Sequence, residues 1–186
     1  MFDMSEVRKF VNVLPDLEEN TCYLLMLIAR SRYIREYMGI KHGDTVLERI
    51  VVPWSEDWRE SMIRRIARLN VLKENADKLY LIEGKPADPR ALVIMIVINR
   101  SRIKSAFIDF ISESLKTIVL EENWYRIAKL HTIWFSMLHK RSKGRLHRID
   151  LDTKYPEAVN EVESILCDYG GWKLKIETKR GYHYII

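Results

Sequence analysis

Cysteine is scarce in this chain. Its 186 residues hold two, Cys22 and Cys167, far apart and in no C-x-x-C pair, so a zinc knuckle is not available and nothing points to an oxidising compartment. Long apolar runs are missing too. The longest, at 22–29 and 92–98, fall far short of the ~20 residues that a membrane helix needs. The first residues, Met1-Phe2-Asp3-Met4-Ser5-Glu6, lack the charged and apolar regions of a signal peptide. The expectation is a soluble, cytoplasmic protein with no membrane partner. No internal repeat or low-complexity tract occurs. Acidic residues are the minority: Lys and Arg number 31 against 26 Asp and Glu, a formal net charge of +5. That balance is compatible with a polyanionic partner without requiring one. With 47% hydrophobic and 31% charged residues, the chain reads as globular, with enough length for one domain and a substantial core.

The density of apolar residues from Asn20 or Thr21 predicts a helix over 20–38, ended by Gly39. Its second half sets Arg30, Arg32 and Arg35 among Tyr33 and Tyr37. That reads as a solvated basic end, or as a phosphate contact with a tyrosine stacked on a base. His42-Gly43-Asp44 reads as a loop, and 46–52 as a strand or helix end broken by Pro53. Ser55 suits an N-cap, with Glu56 and Asp57 in the first turn, for a helix that buries Trp58, Met62, Ile66 and Leu69. Residues 79–82 read as a short strand. The loop at 84–90 is where a single domain over 1–186 would divide, if it divides. The run 92–98 is apolar and mostly β-branched, which predicts a central strand buried on both faces. Asn99-Arg100-Ser101-Arg102 is expected to break it, with Ser101 capping a helix whose Ile103, Ala106, Phe107, Phe110, Ile111, Leu115 and Ile118 recur at helical spacing. Polar groups at such a strand-to-helix junction are where α/β folds place phosphate contacts. Arg100 is therefore a candidate nucleic-acid contact, beside the plain reading of helix capping. A further helix is predicted over 123–138, with Trp124, Ile127, His131, Trp134 and Leu138 inward and His131 read as a core histidine.

The densest basic stretch, His139-Lys140-Arg141-Ser142-Lys143-Gly144-Arg145-Leu146-His147-Arg148, runs straight into Ile149-Asp150-Leu151-Asp152. A charge run is usually a solvated loop. This one abuts two carboxylates and would draw in a nucleotide or template backbone, so Lys140, Arg141, Lys143, Arg145 and Arg148 are candidate nucleic-acid contacts. Alternation sets Arg148, Asp150 and Asp152 on one side of a strand and Ile149 and Leu151 on the other. Two Asp residues on one strand face repel each other unless a cation sits between them, and hard divalent cations prefer oxygen ligands. Spacing alone leaves both metal binding and a strand end meeting water. Pro156 and Glu157 then open a helix with an apolar face of Ala158, Val159, Val162, Ile165, Leu166 and Tyr169, and Gly170-Gly171 ends it. Trp172, Leu174 and Ile176 alternate with Lys173, Lys175 and Glu177 as a strand. A turn at 179–181 leads to a last strand, where Tyr182, Tyr184 and Ile186 alternate with Gly181, His183 and Ile185.

This strand–helix–strand–turn–strand unit resembles the catalytic core of the archaeo-eukaryotic primase and primase-polymerase superfamily, in the form of a small primase-like protein. The family's strand with two aspartates is matched by Arg148-Ile149-Asp150-Leu151-Asp152. Its small-x-His strand is matched by Gly181-Tyr182-His183, and the basic lead-in to that strand by Lys179-Arg180-Gly181. The resemblance covers the C-terminal part of the chain and is looser upstream. Together with the predicted elements it implies an α/β (α+β) domain: an RRM-like mixed sheet holding 92–98, the Asp strand and the C-terminal hairpin, with covering helices and an α/β N-terminal layer. It further implies that Asp150 and Asp152 hold Mg²⁺ or Mn²⁺ and that His183 contacts the phosphates of an incoming nucleotide. Thr178, Lys179, Arg180 and Gly181 would complete the nucleotide site. The chemistry is coherent, since nucleotidyl transfer needs divalent ions to draw an attacking 3′ oxygen to an anionic triphosphate. The family's third motif, a hydrophobic residue followed by Asp after the His strand, does not occur in this sequence. A partner supplying that carboxylate, a source elsewhere in the chain, a degenerate site and a sequence shorter than the natural product all stay open.

The function this implies is that of a DNA primase or primase-polymerase-like nucleotidyltransferase of DNA replication, using nucleoside triphosphates on a single-stranded DNA or RNA template. The alternative is a primase-like nucleic-acid-binding module without chemistry, acting with a second protein subunit. A polymerase-β-type site needs a Gly-Ser turn before its Asp pair; Gly144 is followed by Arg145, so that signature is absent.

Overall fold

The computed structural model describes residues 3–117, 128–144, 146–178 and 180–186. Along the chain come α1 (Met4–Val13), β1 (Thr21–Ala29), α2 (Ser31–Met38), β2 (Thr45–Pro53), α3 (Trp58–Glu74), α4 (Ala76–Leu79), β3 (Leu81–Ile82), β4 (Lys85–Pro86) and a 3₁₀ turn (Pro89–Ala91). There follow β5 (Leu92–Arg102), α5 (Ile103–Leu115), α6 (Leu130–Lys140), β6 (Arg148–Leu151), α7 (Pro156–Asp168), β7 (Leu174–Glu177) and β8 (Tyr182–Ile185).

The first correction concerns β1. Residues 21–29 form a strand, not the first half of a helix, and all nine are buried. Tyr23, Leu25, Leu27 and Ala29 pack with Val11 of α1 and with Trp58, Met62, Ile66 and Leu69 of α3. Cys22 and Leu24 pack on the other face with Ala106 of α5 and with Met137 and Leu138 of α6. A strand covered on both faces has no alternation, so its sequence reads like a buried helix. The flanking strands decide the matter, since β1 pairs antiparallel with both β2 and β5. The second half of the expected helix does form as α2. It ends at Gly39 with φ 66°, a left-handed conformation that glycine adopts without strain.

The second correction concerns the sheets. Among the described residues there are two three-stranded sheets, in the orders β2-β1-β5 and β6-β8-β7, and a small β3–β4 hairpin. Every pairing in them is antiparallel. The single mixed sheet holding 92–98 with the Asp strand is therefore not formed. The edge of β5 is closed at its C-terminal end by residues 141–143: Arg102 N donates to Arg141 O (3.2 Å) and Lys143 N to Arg100 O (3.0 Å). The chain then leaves that edge and starts a separate sheet. β5 is also an edge strand, not a central one, and it runs through Arg102. Ser101 and Arg102 pair with Cys22 and Thr21, so 99–102 neither breaks the strand nor supplies a serine cap, and Arg102 holds the N-cap position of α5.

Helix α3 buries Trp58, Met62, Ile66 and Leu69 as predicted. Its N-cap position is Asp57 rather than Ser55, whose hydroxyl instead donates to Asp57 Oδ1 (3.0 Å). The 84–90 region is the β3–β4 turn and the 3₁₀ turn, with Ala87 and Ala91 fully buried in the main core. Of the helix expected over 123–138, residues 123–127, including Trp124 and Ile127, lie outside the described residues, as does Ile118. Leu138 is buried as expected, whereas His131, two turns earlier on the same face near the start of α6, is exposed. The C-terminal unit forms as read, with Pro156 in the first turn of α7. The apolar face of α7 is narrower than expected: Val159 and Leu166 are buried, whereas Ile165 and Tyr169 are exposed. Among the described residues no helix is long and apolar enough to cross a membrane.

Candidate functional site

The register of the second sheet builds the site. Asp150 on β6 stands opposite His183 on β8, and His183 stands opposite Ile176 on β7. Directly paired residues share a face of a sheet, so Arg148, Asp150, His183, Ile185, Leu174 and Ile176 belong to one face. Its inner end is an anchor: Ile185 is 1% exposed and joins the main core, with Leu174 packed against it. Arg148, in the same row as Ile185, and Ile176 and His183, in the next row, line a cleft of about 380 Å³ whose far wall is Ile94, Ile96 and Ile98 of β5 with Val7 and Phe10 of α1, and whose lining also includes Asp3 and Glu6. The opposite face is tied to α7 by Glu163, whose Oε1 accepts from Tyr184 Oη (2.9 Å) and Lys175 Nζ (2.6 Å).

His183 Nε2 lies 3.4 Å from Asp150 Oδ1. Arg148 grips the same carboxylate with both ends of its fork, Nε to Oδ1 at 2.8 Å and Nη2 to Oδ2 at 3.0 Å. Loss of hydration holds the His183 imidazole below its usual range. Arg148 and Arg32 push the same way, and the charges of Asp150 and Asp152 oppose them. His183 is therefore neutral near pH 7 and has one N–H to donate. Asp152 lies one residue beyond β6, in a second, open depression with Thr153, Tyr155, Pro156 and Arg180 at the start of α7.

Gly181 has a structural reason. A Cβ there would lie 1.8 Å from Leu151 O, so only glycine lets the His strand enter this close to the Asp strand. The close approach that Gly181 permits is thus to protein backbone. Thr178 closes the turn: its N donates to Gly181 O (2.8 Å) and its Oγ1 accepts from Gly181 N (3.1 Å). Lys179 lies outside the described residues. Arg180 comes within 3.8 Å of Glu36 on α2.

The basic stretch disperses. Arg148 is at the site. Arg141 forms a bidentate pair with Asp109 of α5 (2.5 and 2.8 Å). Arg100 donates to Asp16 O (2.7 Å) and Glu18 Oε1 (2.5 Å). Lys140 lines a depression with Leu24, Met26 and Arg49, over the first sheet. Lys143 is exposed, and Arg145 lies outside the described residues. Sequence reasoning missed the walls of the cleft: it read no element over Met4–Val13, which holds Val7 and Phe10, and it took Ile176 as the buried face of a strand. It noted Arg32 as part of a basic helix end or a phosphate contact, without linking it to His183.

The donor set suits a hard cation in type but is incomplete. Among the described residues no three His, Cys, Asp or Glu side chains gather as a metal-holding group. Asp150 and Asp152 offer oxygen donors, and both oxygens of Asp150 are engaged by Arg148. Comparison with protein-family models, with curated proteins and with solved structures gives no match.

Proposed function

We propose that this chain is a primase-like nucleotidyltransferase whose site is the polar face of the second sheet. The observation that carries this reading is the cross-strand pairing of Asp150 with His183, beside an apolar cleft and at the end of a basic segment. The order β6-α7-β7-β8, with the aspartates on the first strand and the histidine on the last, supports the primase-core reading of the fold. Asp150 and Asp152 would hold Mg²⁺ or Mn²⁺; bound there, the ion neutralises charge between a 3′ oxygen and a triphosphate. His183, neutral and half-buried, donates its N–H to a phosphate oxygen. The apolar wall of β5 and α1 keeps water from the nucleoside. Thr178, Gly181 and Arg180 shape the turn beside Asp152, and Lys140 and Lys143 offer charge to a single-stranded DNA or RNA template. The carboxylate set would be completed by a second protein subunit or from elsewhere in this chain, where Asp3 and Glu6 line the same cleft. A cytoplasmic setting, where nucleoside triphosphates and template meet, belongs to the same reading.

A second reading has its own observation. Arg148 already neutralises Asp150, as in a primase-like module that binds nucleic acid without chemistry. Incorporation of labelled nucleotides on single-stranded DNA with Mn²⁺ or Mg²⁺ separates the two. The first reading expects product from the natural chain and none from Asp150→Ala. Salt-sensitive binding to single strands, with no product from either chain, would overturn it in favour of the second.

A further inference from the structure

We propose that Arg148 is an exchangeable counter-ion. It holds Asp150 while no divalent ion is bound, and it turns to the nucleotide's phosphates when one is. This rests on the nucleotidyl-transfer reading of the site.

Arg148 and Asp150 are two residues apart on β6, so their side chains share a face. The guanidinium engages both carboxylate oxygens, at 2.8 and 3.0 Å. A hard divalent ion seeks those same oxygens. It also repels the guanidinium, so each excludes the other from Asp150. The pair is weak enough to exchange, because its side chains are 46% and 42% exposed and an ion pair that open to water holds little.

Arg148 lines the cleft together with His183, so once released it stays beside the imidazole that would meet phosphate. Its planar fork suits two phosphate oxygens at once, which a lysine cannot match. Other arginines are engaged elsewhere: Arg141 with Asp109, Arg100 with Glu18, and Arg32 with Tyr33 through Nη2 to Oη at 2.7 Å, while Arg180, beside Asp152, comes within 3.8 Å of Glu36. Arg148 is the cation whose release is coupled to the ion. Metal and nucleotide therefore favour each other's binding, each by the same factor.

The test uses the full chain, with Mn²⁺ binding followed by electron paramagnetic resonance. Binding of a non-hydrolysable nucleoside triphosphate analogue is measured with and without Mg²⁺. Arg148→Gln is expected to bind Mn²⁺ about 5-fold tighter than the natural chain, the order of effect of removing one exposed competing ion pair. It is also expected to show a smaller Mg²⁺ enhancement of analogue binding, since only the direct contact of the ion with phosphate remains. Arg148→Lys, which keeps the charge without the fork, falls between the two and serves if Arg148→Gln does not fold. A merely structural role for Arg148 would not raise Mn²⁺ affinity. If Mn²⁺ binding is abolished by Asp150→Asn yet is equal or weaker in Arg148→Gln, the exchange is wrong and the metal reading stands. If no chain shows Asp150-dependent Mn²⁺ binding, the nucleotidyl-transfer reading falls and the exchange falls with it.

Discussion

The first sheet has a central strand of nine residues, all buried, with apolar layers on both sides. The second has a central strand of four, and one of its faces carries Arg148, Asp150 and His183 beside Ile185 and Leu174. Ion pairs and a histidine are costly inside a core and inexpensive at a half-exposed rim. The first sheet therefore supplies stability, and the second, docked through Ile185, holds a polar cluster in register without burying it. The proposed chemistry and the bulk of the core thus fall on different sheets of one molecule.

The sharpest way to break that comparison is to truncate both sheets. Leu25→Ala, at a fully buried site on β1, is expected to cost about 3–5 kcal/mol in urea unfolding. Ile176→Ala, on the half-buried cleft face, is expected to cost about 1 kcal/mol. Equal losses would show that the second sheet is as much core as the first.

Gly181→Ala comes next, at about 1–3 kcal/mol, because its methyl would meet Leu151 O. The cross-strand nuclear Overhauser contact between Asp150 and His183 should vanish with it. An unchanged contact would mean that the strands have room to spare.

Glu163→Gln tests the other face of the second sheet. Its hydrogen bonds from Lys175 and Tyr184 hold the Glu163 carboxyl below the usual range. A lowered folded value gives stability that is present above the ordinary glutamate value, about 4.3, and is lost as pH falls through the lowered one. The variant is expected to lose about 1 kcal/mol at pH 7 and to show a flatter acid limb in thermal melts from pH 6 to 3. An unchanged acid limb would remove Glu163 from the account.

Asp150→Ala should be the mildest change to stability, within about 0.5 kcal/mol, while nucleotide incorporation disappears. A large loss of stability would make the pair structural.

The C-terminal unit was legible in the sequence because each element carries a local signal. Pro156 opens α7, Gly170-Gly171 follows its end, and period-2 alternation sets Asp150 and His183 on matching faces. β1 was not legible, because burial on both sides erases alternation. The sheet assignment was not legible either: no local pattern says that residues 141–143 take the edge of β5 and send the Asp strand elsewhere. Within the site, the residue types could be read from sequence. The partners could not. Arg100 and Arg141 looked like free phosphate contacts until the fold brought Glu18 and Asp109 to them across long separations. Arg148 and Asp150 were set on one face by alternation, but the cleft that Arg148 lines has walls from α1 and β5, remote in sequence.

An amide chemical-shift map of the full chain, titrated with a non-hydrolysable nucleoside triphosphate analogue and Mg²⁺, puts the proposed site at greatest risk. The account predicts saturable shifts at Arg148, Asp150, Ile176 and His183 and on the facing residues of β5 and α1, with β2 silent. Shifts confined to the far side of the first sheet, or none that saturate, would contradict it.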